Sequence, residues 1–290
     1  MVVNGTQQPA SFCCRLCGHL AEPQPWGGAE CPSCESVSVV ALPSPAELAA
    51  YYAAYVDSYT GGGKSGGANM RRYADRYAAL VERFVENRRA LRILDVGTSN
   101  NPFPNLMSIR GHEVTVLDYA KPHGLADSVE FIAGHLGDPV SFAQLAGRYD
   151  VVTCWAVMEH VPDPHGSASQ LASATRPGGH VLVSSPEHGT ALTRHALGRS
   201  SWFFPPEHLH LVSPKAMDAL FAAQGLMPIA WGRLELSWAR WTARYGIGAV
   251  EALAGSAVKA LAPARWHDAR RTRRHRYKGI DWFAYRRPTP

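Results

Sequence analysis

The chain has 290 residues, 46% hydrophobic and 18% charged, with 29 Lys and Arg against 24 Asp and Glu for a formal charge of +5. This balance excludes a largely disordered chain and suits one large domain with a small appendage. No run of 18 uncharged apolar residues occurs, so no membrane span is expected. The start MVVNGTQQPASF lacks the basic and apolar regions of a secretory signal, so a cytoplasmic protein is expected.

Five of the six cysteines fall in the first 34 residues. Cys14-x2-Cys17 and Cys31-x2-Cys34 stand 13 residues apart, with Gly18 and Pro32 suited to tight turns. Two such hooks can give four thiolates to a tetrahedral zinc, and four thiolates leave no open position for catalysis. Residues 1–42 are therefore expected to form a structural zinc module. Cys13 is an adjacent spare that could compete with Cys14, and His19 is a weaker alternative ligand. Disulfides are the competing reading, disfavoured in a cytoplasmic setting.

Residues 43–91 read as a helical connector. Pro43-Ser44-Pro45 marks a helix entry, and Tyr51, Tyr52 and Tyr55 follow on a mixed surface. The stretch GGGKSGG at 61–67 invites a phosphate-loop reading, but no strand precedes it, so a flexible lid is expected instead. From Asn69 to Asn87, Tyr73, Tyr77, Leu80, Val81, Phe84 and Val85 recur at helical spacing, and the tyrosines are expected to pack more than to line a pocket.

From Arg92 onward, short apolar runs alternate with helical stretches. Strands are predicted at Arg92–Val96, Glu113–Leu117, Val129–Ala133, Tyr149–Cys154, His180–Ser184, Met227–Arg233 and Ile280–Arg286. This predicts an α/β, Rossmann-like, doubly wound sheet of seven strands, mostly parallel with an antiparallel last strand, over residues 92–290. Ligands of such sheets sit at the carboxyl ends of the strands. The first predicted strand ends in Asp95-Val96-Gly97-Thr98-Ser99-Asn100-Asn101, a turn that lets backbone approach a ligand. Asp118 closes the next strand 21 residues after Gly97, where a carboxylate can accept ribose hydroxyls.

The segments YDVV…EHVPDP at 149–164, RPGG-HVLV at 176–183 and PEHLHLVSP at 206–214 complete the pattern. With them the chain resembles a class I S-adenosylmethionine-dependent methyltransferase over roughly residues 70–290. The resemblance implies S-adenosylmethionine as cofactor. It implies that Asp95, Gly97 and Thr98 line the methionine portion, that Asp118 binds the ribose, and that Tyr119 lies beside the adenine. His135 stands where the family usually has Asp, and Leu136 would cover the adenine face. Trp155 and Ala156 would lie where cofactor and substrate meet. The family favours glycines where Ser99 and Asn101 stand, and the side chains of Asn100 and Asn101 could add hydrogen bonds to the cofactor.

Methyl transfer to oxygen or nitrogen often needs a general base, and histidine titrates in the right range. The candidates are His160, His188 and His208, with His210 nearby. Some quinone O-methyltransferases hold a metal on Glu-x2-Glu-His here, but Ala156 replaces the first Glu, so no second metal is expected. Trp202-Phe203-Phe204-Pro205-Pro206 could wall an apolar substrate, and Gly246–Leu261 reads as an inserted helix that could cap the site or pair in a homodimer. Between Arg265 and Lys278 seven basic residues face one Asp. The expected function is methylation of a small-molecule acceptor at O, N or C. An RNA methyltransferase with a zinc module, fitting the basic stretch, and a cofactor-binding protein without transfer activity are the alternatives.

Overall fold

A computed structural model describes residues 11–60, 67–85, 90–186, 206–234 and 280–289. The expected lid at 61–66, His188, the Trp202–Pro205 part of the apolar insert, the 246–261 helix and the basic stretch at 265–278 lie outside them.

Four short strands come first among the described residues: β1 (Phe12–Cys13), β2 (Leu20–Ala21), β3 (Gly28–Glu30) and β4 (Val37–Val39). Helices α1 (Pro45–Thr60) and α2 (Gly67–Val85) follow, so a helix and not a strand leads into GGGKSGG. Then come β5 (Arg92–Val96), α3 (Phe103–Ile109), β6 (Glu113–Asp118), β7 (Glu130–Ala133), α4 (Pro139–Ala143), β8 (Tyr149–Trp155), α5 (Pro164–Ala174), β9 (Thr175–Pro186), β10 (His210–Leu211), α6 (Pro214–Ala222), β11 (Met227–Leu234) and β12 (Ile280–Arg286).

Seven strands form one sheet in the order β11-β12-β9-β8-β5-β6-β7. The pairs β7/β6, β6/β5, β5/β8 and β8/β9 are parallel, while β12 is antiparallel to both β9 and β11. The apolar runs in β5, β8, β9 and β12 are continuous because both faces are covered, and alternate residues enter opposite cores. Leu94, Val152, Val181 and Phe283 join one core with α5 and α6. Ile93, Val151, Leu182 and Ala284 join the other with α2 and α3. Strand β9 begins five residues before the predicted His180. Its Arg176-Pro177-Gly178-Gly179 segment bulges, with Gly178 at φ 74°, so the register shifts between Tyr149↔Thr175 and Val151↔His180.

Three helix starts follow one local rule. Asp138, Asp163 and Ser213 each accept amide hydrogens of the first turn, and each precedes a proline at the first helical position. Ser44 and Glu47 make a reciprocal capping box before α1, with the Ser44 amide 2.8 Å from Glu47 Oε2 and the Glu47 amide 3.3 Å from Ser44 Oγ.

Residues 11–42 do not stand apart. Strands β3 and β4 form a three-stranded sheet with β10, and Phe12, Leu16, Ala21 and Ala29 lie in the same core as Val212, Met217 and Leu220. None of the described helices is long and apolar enough to cross a membrane.

Candidate active site

Near the end of strand β5, Asp95 is buried at 1% exposure. Its Oδ2 accepts Thr98 Oγ1 and its Oδ1 accepts Thr153 Oγ1, each at 2.5 Å. Burial pushes its carboxyl up to about 6, against the pull of the two hydroxyls. Asp95 thus pins the turn that follows it. Gly97 takes φ 74°, and a Cβ there would lie 2.6 Å from Val157 Cγ2, so both conformation and space demand glycine. Ser99 continues the turn at φ 50°, and its amide donates to Asp118 Oδ2 at 2.7 Å. The Tyr119 amide donates to the other oxygen at 2.7 Å. Each Asp118 oxygen thus accepts one backbone amide, which fixes the carboxylate at the end of β6.

Asn100 is half-buried in this turn. The Asn101 side chain is committed elsewhere, because its Oδ1 accepts the Phe103 amide at 3.0 Å at the start of α3. Beyond β6 and β7, Tyr119 stacks on His135 with ring centroids 4.8 Å apart, and Leu136 is buried beside them. Trp155 at the end of β8 lies 4.0 Å from Tyr77 in a parallel stack and edge-on to Phe103, in the core under α2. Its indole N–H is buried without an acceptor among the described residues. Tyr77 therefore packs, as expected, and donates or accepts at Ser184 Oγ over 3.3 Å.

Ala156 bends the chain away from β8 at φ 56°, a left-handed conformation costly for a residue with a Cβ, held by its amide to Ser184 O at 3.0 Å and Ser184 Oγ at 3.1 Å. The bend delivers Glu159 and His160 into the crevice. Glu159 is 1% exposed, and among the described residues no donor reaches either carboxylate oxygen in full hydrogen-bond geometry. Burial pushes it up to about 8, tempered by its own amide and the Ser185 hydroxyl. Burial pulls His160 down to about 4. The His160 Nδ1 lies 2.6 Å from the Glu207 carbonyl, which can only accept, so Nδ1 carries the proton. Its Nε2 lies 3.8 Å from Glu159 Oε1, and its ring meets His208 edge-on at 4.8 Å. Glu159, His160 and His208 thus place three possible ligand atoms within 4.8 Å of one another, a grouping supplied by a distant segment and not foreseen from 156–160. His210 is different: it is fully buried, with Nδ1 2.9 Å from Ser38 Oγ and Nε2 3.0 Å from Val161 O, and has no lone pair to offer a substrate.

Helix α1 roofs this crevice, which the sequence left unassigned. Tyr52 stacks on Tyr119 at 5.1 Å, Tyr55 OH lies 3.5 Å from Ser99 Oγ, and burial with the Glu207 charge pushes Tyr51 up to about 12. Only the three tyrosines at 51, 52 and 55 signalled it, and their spacing on a weakly amphipathic helix did not say what they face.

At the N-terminus, the Sγ atoms of Cys14, Cys17, Cys31 and Cys34 lie within 4.8 Å of one another. Cys14 and Cys34 are 3.7 Å apart and Cys17 and Cys31 3.5 Å, against about 3.8 Å for tetrahedral sulfurs about 2.3 Å from zinc. Backbone amides of Leu16 and Cys17 point at Cys14, that of His19 at Cys17 and that of Ser36 at Cys34, which suits thiolates. These residues fit a zinc ion. Cys13 is outside the cluster, exposed and bonded to the Gly18 carbonyl at 3.3 Å.

Residues 70–230 match the methyltransferase domain family model. Ubiquinone biosynthesis O-methyltransferases of Marinobacter nauticus and Aeromonas salmonicida are 38% and 36% identical over 102 and 100 residues, each 32% of this chain. The matched segment spans 43% and 42% of those relatives, well under their full length. By fold, the chain is similar to the Burkholderia thailandensis 1,6-didemethyltoxoflavin-N1-methyltransferase, with a TM-score of 0.53, 15% identity and 88% and 96% of the two chains covered. It is also similar to a chain from the complex of the Haloferax volcanii Trm112 methyltransferase activator with a methyltransferase, at TM-score 0.52 and 15% identity over 80% and 97%. With a seven-stranded sheet of this order and a family match over more than half its length, the chain belongs to the methyltransferase domain family, the S-adenosylmethionine-dependent class that its motifs resemble.

Proposed function

We propose that the chain transfers a methyl group from S-adenosylmethionine to a small-molecule acceptor held under α1. The observation that carries this is the turn Asp95–Ser99 locked onto Asp118, facing Glu159, His160 and His208 across the carboxyl ends of β5, β6 and β8. Asp95, Gly97, Thr98 and Asn100 form the turn against the methionine end, and Asp118 takes the ribose. Tyr119, His135 and Leu136 form the adenine side, with Trp155 and Ala156 closing the floor. Bound S-adenosylmethionine supplies an electrophilic methyl carbon. The protein's own tasks are then to align the acceptor and to accept its proton.

His208 is the base that meets the acceptor, and His160, anchored through the Glu207 carbonyl, orients it. The named activity of the curated relatives favours an oxygen acceptor. The cysteine module of residues 1–42 holds a structural zinc through Cys14, Cys17, Cys31 and Cys34, residues 43–91 connect and roof, and residues 92–290 carry the chemistry.

Calorimetry on zinc-replete protein tests the cofactor side. S-adenosylhomocysteine should bind at micromolar concentration, and Asp118→Ala, which removes a charged hydrogen-bonding partner, should weaken it at least about tenfold. No binding to the unaltered protein refutes the proposal.

A further inference from the structure

Residues Pro206–Ser213 bring the Glu207 carbonyl to His160 and the His208 ring beside it, yet this segment has no place in the seven-stranded sheet. Among the described residues its strand β10 pairs only with β4, with His210 opposite Ser38 and Leu211 opposite Val37, and the Val39 amide reaches the Leu209 carbonyl at 2.9 Å. On its other side the Leu209 and His210 amides both donate to the Glu159 carbonyl, at 2.8 and 3.1 Å. The segment is therefore clamped between the cysteine module and the backbone of the crevice acid.

Side chains reinforce both halves of the clamp. Burial pulls His210 down to about 4, so its ring is neutral with a single N–H. The Val161 carbonyl can only accept, which puts that proton on Nε2 and leaves Nδ1 to accept from Ser38 Oγ. The second cysteine hook grips the next residues: Ser213 Oγ donates to the Cys34 carbonyl at 2.5 Å, the Ser213 amide to Ser36 Oγ at 2.9 Å, and Lys215 Nζ to the Ser33 carbonyl at 2.6 Å. The first hook holds β4 from the far side, where the Arg15 guanidinium donates to the Val39 and Val40 carbonyls at 2.5 and 2.9 Å. Between them Val37, Val39, Leu209 and Leu211 close a small apolar cluster.

We propose that the cysteine module is the positioning element for the acceptor side of the crevice, with Ser38 and His210 as positioning residues, an inference that rests on the methyl-transfer reading above. Strands of two and three residues cannot hold their own shape, so the metal sets the geometry of both hooks and, through β4, the place of Glu207 and His208. The cofactor side belongs to β5 and β6 and does not depend on the clamp. Metal loss therefore uncouples the two halves of the site, and acceptor handling fails while the cofactor still binds.

Amide hydrogen exchange on the full chain tests this without an acceptor. Zinc removal by a chelator should speed exchange at Leu209 and His210 at least about 100-fold, and Ser38→Ala with zinc retained about tenfold. Amides of β5 and β6 should stay protected, and the dissociation constant of S-adenosylhomocysteine should change by less than about threefold. Unchanged protection at Leu209 and His210 after zinc removal overturns the proposal. So does equal loss of protection in β5 and β6, which would make the module a general stabiliser. Failure of the untouched protein to bind S-adenosylhomocysteine refutes methyl transfer alone, and the exchange result stands apart from it.

Discussion

Glu159 offers a test of the crevice that needs no substrate. It is fully buried, and its carboxyl is pushed up to about 8 from an ordinary 4.5. Between those values the folded protein holds a proton that the unfolded chain releases. Stability from this group is complete below about 4.5 and declines as pH rises toward about 8. Three other buried groups act lower on the scale. His160 and His210, both pulled down to about 4, favour the folded state increasingly as pH rises to their unfolded value of 6.5. Asp95, pushed up to about 6, acts in the opposite direction below that. Above pH 6.5 all three are spent and Glu159 remains. From pH 6.5 to 8 its slope, about 1.4 kcal/mol per unit and falling to half that at the folded value, integrates to about 1.6 kcal/mol.

Glu159→Gln keeps the shape of the protonated acid and removes its titration. Urea unfolding of both proteins at pH 6.5, 7.25 and 8 should show the variant gaining about 1.6 kcal/mol relative to the parent across that range, with m unchanged. The cysteine cluster titrates in both proteins and cancels in the difference. A difference that stays flat from pH 6.5 to 8 would show Glu159 already ionised in the folded state. The desolvation reasoning would then be wrong, and a positive charge or a bound cation would have to sit against it.

Ala156→Gly relieves the left-handed backbone at φ 56° and should raise the unfolding free energy by about 0.5–1 kcal/mol, read as a shift in the urea midpoint. Gly97→Ala meets both a disallowed φ of 74° and the Val157 side chain, so it should cost about 2 kcal/mol or more in urea unfolding and weaken S-adenosylhomocysteine binding measured by calorimetry. Tyr52→Ala removes one ring of the stack over Tyr119 and should weaken S-adenosylhomocysteine by about 0.5–1.5 kcal/mol in the same assay, with little change in the urea midpoint because α1 is mostly exposed.

The central sheet was legible because buried parallel strands write themselves as apolar runs, and each predicted strand from Arg92 onward matches an observed one within a few residues. The turn at Gly97 and the acid at Asp118 were legible for a related reason: strand ends fix where they must stand. What the sequence could not show is what joins distant segments. Strands β1–β4 and β10 have two or three residues each, too short to carry a period, and their stability comes from one another. The pairing of Ser38 with His210, 172 residues away, leaves no local trace in either segment. The same holds at the crevice. His208 and His210 stand two apart in PEHLHL and look equivalent, but only His210 lies in β10, while His208 precedes the strand. One joins His160 at the crevice; the other is spent holding Ser38 and Val161. Glu159 likewise reads as an ordinary helix-start acid beside His160. It is buried just after the left-handed bend at Ala156, and nothing in an alanine announces a positive φ. The residues whose chemistry the fold perturbs most are thus those placed by strain and by partners far along the chain, which is where local sequence rules carry least information.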